Sequence, residues 1–214
     1  MSRVVYGVSM SLDGFVAGPD QSVDHPLGVG GELLHEWMRA LAAWREMAGE
    51  EGGETNASTA VFEDGNDDVG AIIMGRNMFG GGPGSWGENA WTGWWGDNPP
   101  FHLPVFVLTH HQRVPLAMQG GTTFTFVTGG AGEALELARR AADGKDVAVS
   151  GGGSVGRQYL AAGVLDDLEI HLVPVFLGAG VRLFDGPGLA AVKLEQTRVI
   201  EAPGVTHLKY RIIR

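Results

Sequence analysis

The residues best suited to chemistry in this sequence stand at Gly151-Gly152-Gly153-Ser154-Val155-Gly156, directly after the strand-like run Asp146-Val147-Ala148-Val149-Ser150. Where a strand turns tightly into a helix, the N–H groups of the first helical turn have no intrahelical partner and can donate to an anion. Glycines let the backbone turn sharply there and approach a phosphate with no Cβ in the way. The spacing also fits Gly-x-Gly-x-x-Gly. The same residues suit a turn that merely needs small side chains. A Rossmann unit fails on context, because it places an acidic residue about 20 positions on, at the tip of the next strand. Here that strand ends His171-Leu172-Val173-Pro174-Val175, and too little chain follows for most of a doubly wound domain.

A second strand end, Val69 to Met74 followed by Gly75-Arg76, brings a guanidinium to a strand-to-helix junction. Such an arginine can pair with a phosphate or simply face solvent. Thr109, His110 and His111 follow Pro104 to Leu108. Two adjacent histidines suggest a metal, but neighbours on an extended segment point opposite ways. With no carboxylate or third histidine nearby in sequence, a metal site is not expected. The loop Ser85 to Pro100 carries Trp86, Trp91, Trp94 and Trp95. They can line a pocket for a planar substrate or form a patch for subunit packing.

These residues are positioned by a pattern of strands alternating with helices. Strands are expected over Arg3–Ser9, Val69–Met74, Leu103–Leu108, Thr123–Val127, Asp146–Ser150 and Asp167–Pro174, with a closing hairpin of 198–201 and 206–214. Met10 to Asp20 reads as a loop. Helices are expected over Glu32–Ala48, Ala57–Asp68, Glu133–Ala142 and Val155–Ala162. In the first, Leu34, Trp37, Met38, Leu41 and Trp44 share one face, while Glu32, Glu36, Arg39 and Glu46 share the other. The order implies a single α/β domain, 1–214, with an antiparallel edge at its C-terminal end.

Composition narrows the function classes. With 15 basic and 25 acidic side chains the formal charge is −10, which disfavours nucleic acid and anionic membrane as partners. No window approaches the roughly 18 apolar residues of a membrane span. The start, Met1 to Tyr6, lacks the pattern of a signal peptide. The absence of cysteine removes disulfides, thiol nucleophiles and thiolate metal sites. A cytoplasmic enzyme is the expectation. The acidic balance and an apolar C-terminal hairpin suggest a homodimer.

Four segments in order carry a family resemblance: Ser9 to Gly18 (SMSLDGFVAG), Met74 to Phe79 (MGRNMF), Gly151 to Leu160 (GGGSVGRQYL), and Asp167 to His171 with Val173 to Gly180 (VPVFLGAG). Together they resemble the dihydrofolate-reductase-like family that includes the C-terminal reductase domain of bacterial riboflavin biosynthesis. The resemblance implies a three-layer α/β/α fold around a mostly parallel, twisted sheet, and an NADPH-dependent reductase acting on a small heterocyclic or carbonyl compound. It implies that Gly151, Gly152, Gly153, Ser154 and Val155 hold cofactor phosphates. Gly75 and Arg76 join them at a second helix start. Thr109 and His110 meet the adenosine end, and Val16 and Ala17 lie in the loop that covers the nicotinamide. Asp13, the ionisable group of that loop, becomes the candidate to orient substrate or relay a proton, though Leu-Asp-Gly is equally good turn chemistry. Ser9, Trp37 and Trp94 are the corresponding substrate contacts, and a homodimer is implied again.

The sequence departs from the family in two respects. Dihydrofolate reductases carry a carboxylate near the start of the first helix, facing the pterin. Here the inward stripe begins with Leu34, Trp37 and Met38, and His35 lies on its flank. The riboflavin-pathway reductase is often fused to a zinc deaminase domain, which this sequence does not carry, and the basic residues available for the rim of a sugar-phosphate site are Arg157 and Arg182. A catalytically weak nucleotide-binding or regulatory protein on the same fold is therefore the alternative function. An oligomeric scaffold using the tryptophan loop is a third.

Overall fold

Strands at the centre of this sheet are apolar on both faces because helices cover both. β3 (Val69–Gly75) is buried at every position. The computed structural model describes residues 2–88, 91–185 and 189–214. In chain order its elements are β1 (Val4–Ser11), β2 (Phe15–Ala17), α1 (Glu36–Arg39), α2 (Ala42–Met47), α3 (Ala57–Asp67), β3, α4 (Arg76–Phe79), β4 (Pro104–Leu108) and β5 (Leu116–Ala117). There follow β6 (Thr123–Val127), α5 (Gly130–Ala141), β7 (Asp146–Ser150), α6 (Gly153–Ala161), β8 (Asp167–Val173), β9 (Val181–Arg182), β10 (Lys193–Ala202) and β11 (Val205–Ile213).

The main sheet has the order β10-β11-β8-β1-β7-β3-β4-β6-β5. Its interior pairs, from β8 through β6, are parallel, whereas β11 runs antiparallel to both β8 and β10. On one face α5 and α6 pack through Ala134, Ala138 and Tyr159 against Tyr6, Ile73 and Val149. On the other face the core divides. Trp37, Leu34 and Leu41 cover the β8–β11 half, and Phe79 with the tryptophan loop covers the β3–β4–β6 half. This is the expected three-layer arrangement with an antiparallel C-terminal edge.

The single helix expected over Glu32–Ala48 is broken. A 3-10 turn, Gly31–His35, leads into the one-turn α1, and at Leu41 the backbone is extended (φ −71°, ψ 138°) before α2 begins. The chain at 54 supplies the competing hydrogen bonds: Glu54 N–H donates to Ala40 O at 2.7 Å and Ala42 N–H to Glu54 O at 2.9 Å. The periodic apolar face survives the break, since Leu34, Trp37 and Leu41 are all buried. The expected loop Met10–Asp20 contains β2, which pairs with β9. Helices α5 and α6 begin earlier than expected, on glycines, whose low helix propensity hid their N-terminal turns. The closing hairpin begins earlier as well, at Lys193.

Candidate active site

Two strand-to-helix turns lie side by side at the C-terminal ends of the adjacent strands β3 and β7. In the second, Gly151 has φ +116°, a backbone that side chains beyond glycine rarely adopt. Its carbonyl accepts the Tyr6 hydroxyl at 3.3 Å, and burial holds that phenol's pKa well above its usual value. Glycine is also required at 156 for a different reason: a Cβ there would fall 2.3 Å from the Tyr6 ring, so its absence lets α6 settle on β1. Gly152 faces open space, with nothing within 4 Å of where a Cβ would stand. As the opening residues of α6, Gly153 and Ser154 present N–H groups that have no intrahelical acceptor. These donors and the open floor fit a phosphate.

Positive charge gathers at this turn in an otherwise acidic protein. Arg157 donates to the Arg182 carbonyl oxygen, and a Cβ on Gly153 would lie 3.0 Å from Arg157 Nη1. Arg182 stacks over Phe15, 4.4 Å from the ring centroid, and donates to Asp13 O at 3.0 Å. Val16 reaches the same spot, 3.3 Å from the Cβ position of Gly153. The β2–β9 ribbon therefore closes one side of the cradle with Val16 and Ala17, both buried.

Arg76 lies at the neighbouring turn. Its guanidinium donates to the carbonyls of Gly80 (3.1 Å) and Gly82 (2.9 Å) and lies 3.4 Å from Thr109 Oγ1. It stacks on Trp86 at 3.3 Å, and Arg113 stands over the same indole at 4.8 Å. Burial, then Arg113, lowers the Arg76 pKa. Among the described residues neither guanidinium has a carboxylate partner. Thr109 is buried while His110 is exposed, and Thr109 Oγ1 accepts the His111 N–H at 3.1 Å.

Asp13 is a tied carboxylate. It accepts the Ser11 hydroxyl at 2.6 Å and the N–H groups of Leu177 (3.2 Å) and Gly178 (2.7 Å). The Ser11 bond, ahead of desolvation acting in the opposite sense and then the two N–H bonds, holds its pKa below the ordinary carboxylate value. Such a group stays ionised at neutral pH and is a poor proton donor.

Ser9 and Trp37 meet: the indole Nε1–H donates to Ser9 Oγ at 3.1 Å. Trp94 is not with them. It packs on Trp91 at 4.5 Å between ring centroids and fills the space over Gly80, on the β3 half of the sheet. Trp86, Trp91 and Trp95 pack against the Phe79 core, so three of the four indoles in that loop act mainly as filling for this half.

Sequence reasoning missed the polar row beside Ser9. Ser9, His171 and His207 stand opposite one another across β1, β8 and β11. His171 and His207 join through their Nδ1 atoms at 2.8 Å, and His207 Nε2 meets Ser58 Oγ at 2.9 Å. Trp37 lies 4.9 Å from each imidazole ring. Burial lowers the pKa of both, and of His35, to about 4.

The sheet order, the paired turns and the placement of helices define the dihydrofolate-reductase-like class of α/β proteins. The chain belongs to the RibD C-terminal domain family, a reductase family, whose pattern matches residues 2–208. Its fold is similar to that of a riboflavin biosynthesis protein from Shewanella sp. PV-4, with 19% identity, full coverage of both chains and a TM-score of 0.61. It is also similar to a bifunctional deaminase/5-amino-6-(5-phosphoribosylamino)uracil reductase from Thermotoga maritima, at 12% identity and a TM-score of 0.57. That match takes in 99% of this chain and 57% of the Thermotoga protein. Dihydrofolate reductase from Enterococcus faecalis, solved with NADP(H), is similar at 11% identity and a TM-score of 0.55, covering 99% of this chain and 97% of that one. No curated protein matches the sequence directly.

Proposed function

We propose that this chain is an NADPH-dependent reductase that delivers hydride to a small heterocyclic substrate of pterin or pyrimidine type, or to a related carbonyl compound. The observation that carries this reading is the juxtaposition of the two turns. The N–H groups of Gly153 and Ser154 lie at one turn beside Arg157, and Arg76 lies at the adjacent turn; among the described residues neither guanidinium has a carboxylate partner. In this reading the first turn of α6, with Gly151 to Val155, holds the pyrophosphate. Arg76, Thr109 and His110 hold the adenosine end and its 2′-phosphate, and Val16 and Ala17 wall the nicotinamide. NADPH supplies the hydride.

The chain's own work is then orientation and exclusion of water. Asp13 keeps the β1–β2 loop clasped to residues 177–178, which makes it a positioning residue rather than the proton source. Ser9 and Trp37 contribute the substrate end, and Trp94 belongs to the wall beyond Gly80. Exposed Leu194, Val199 and Ile213 on the closing hairpin support a homodimer. A sequence without cysteine suits the cytoplasm, and no described helix is long and apolar enough to cross a membrane.

One observation favours a catalytically weak, nucleotide-binding protein as the second reading: the carboxylate of the covering loop is held by the structural donors Ser11, Leu177 and Gly178. A panel of pterins, pyrimidines, quinones and aldehydes, assayed by the loss of NADPH absorbance, separates the two. Turnover on any ring substrate supports the reductase. Tight NADPH binding without turnover on the whole panel transfers support to the second reading.

A further inference from the structure

Gly7 lies in β1, in the interior of the nine-stranded sheet, and yet is exposed. A residue in that position is normally covered, so the sheet has an opening over Gly7. The wall of that opening is His171: a Cβ on Gly7 would stand 3.9 Å from its Nε2. Among the described residues Nε2 has no hydrogen-bond partner, whereas Nδ1 is bound to His207.

The bonding pattern behind His171 selects its tautomer. Ser58 is 1% exposed, and the hydrogen-bond partner of its hydroxyl is His207 Nε2. A buried hydroxyl proton without an acceptor is costly, so the Ser58 O–H donates and His207 Nε2 accepts. A neutral imidazole protonated on one nitrogen accepts on the other. His207 therefore carries its proton on Nδ1 and donates it to His171 Nδ1. That leaves the His171 proton on Nε2, directed at the opening. Ser9, its direct neighbour on β1, already accepts from Trp37, so its own hydroxyl proton is available to donate beside it.

We propose that the chain Ser58–His207–His171 fixes His171 as a neutral Nε2–H donor over Gly7, making it a specificity-determining residue that selects ring substrates presenting a carbonyl oxygen rather than an amino group on that edge. The groups facing this pair are His35 from the 3-10 turn, Trp37 from α1, Ser58 from α3, and on the sheet Glu169 with Arg198, which Asp64 also pairs. Burial, reinforced by His35 and Arg198, depresses the His171 pKa to about 4, which keeps the donor uncharged at neutral pH. The choice of ligand rests on the reductase reading, whereas the tautomer does not.

The test is nitrogen-15 NMR of the imidazoles in the full chain, followed by titration with uracil and with 2,4-diaminopyrimidine, which carries amino groups where uracil has oxygens. The expected pattern is Nε2–H at His171 and Nδ1–H at His207, with Ser58→Ala releasing the fixed tautomers. Uracil shifts the His171 Nε2–H signal, and His171→Phe weakens uracil by about three- to tenfold, the loss of one hydrogen bond, without weakening the diamino probe. An Nδ1–H tautomer at His171, unchanged tautomers in Ser58→Ala, no uracil shift, or equal loss of both probes overturns the proposal. A chain that shows the expected tautomers and uracil response but fails to bind NADPH contradicts the reductase reading alone.

Discussion

A methyl group added at Gly75 would fall 2.7 Å from Val155 Cγ2. The turn after β3 thus rests directly on the first turn of α6, and the two candidate phosphate sites are in contact. Valine is stiff at χ1, so Gly75→Ala cannot be absorbed by a rotamer change alone. Overpacking of this kind costs about 1–3 kcal/mol. The expected outcome is a fall in Tm of about 2–4 °C per kcal/mol lost, together with weaker NADPH binding. An unchanged Tm and an unchanged Kd would show the turns to be independent.

Arg76 and Arg113 share Trp86 without a carboxylate partner among the described residues. In the proposed complex Arg76 meets the 2′-phosphate, a charge-assisted contact worth about 1.5–3 kcal/mol. Arg76→Gln is therefore expected to weaken NADPH by about 10- to 100-fold while leaving NADH nearly unchanged. Equal losses for the two cofactors in parallel titrations would remove the 2′-phosphate from this subsite.

How much of this was legible in the sequence follows from which interactions are local. The glycine turn, Gly75-Arg76 and the strands around them are written in contiguous residues, and each formed close to its expected place. The break at Leu41 was hidden because its cause, Glu54, lies beyond the glycine-rich stretch after α2. The row Ser9–His171–His207 was hidden for a similar reason. Its members lie on three strands, and only their register makes them neighbours. Trp94 is expected with Ser9 and Trp37 as a substrate contact, and the fold sets it over Gly80 on the β3 half of the sheet, because the packing of its loop is decided by contacts distant in sequence.

The buried histidines predict how stability depends on pH. His35, His171 and His207 have pKa values lowered from the ordinary 6.5 to about 4, in each case chiefly by burial. Below 6.5 the unfolded chain takes up protons that the folded chain refuses until about pH 4. Their contribution is therefore intact above pH 6.5 and lost as pH falls from 6.5 to about 4, at about 1.4 kcal/mol per pH unit for each proton. The urea midpoint should drop between pH 7 and pH 5. A flat profile across that interval would mean that these imidazoles are protonated within the fold.

Asp13 should behave as a clasp. Its pKa lies below the ordinary carboxylate value, so no rate-limiting ionisation of Asp13 is expected between pH 5 and 9. Asp13→Ala should lower turnover and speed proteolysis near residues 12–18 without changing the shape of the pH–rate profile. Loss of a limb from that profile in the variant would instead make Asp13 a proton-transfer group.

The central claim is that the paired turns after β3 and β7 hold a nicotinamide dinucleotide phosphate. Titration of the full chain into NADPH, followed by cofactor fluorescence, tests it most directly. Saturable binding at sub-millimolar concentration, with a weaker response to NADH, is the predicted result. Absence of any binding in that range would contradict the account.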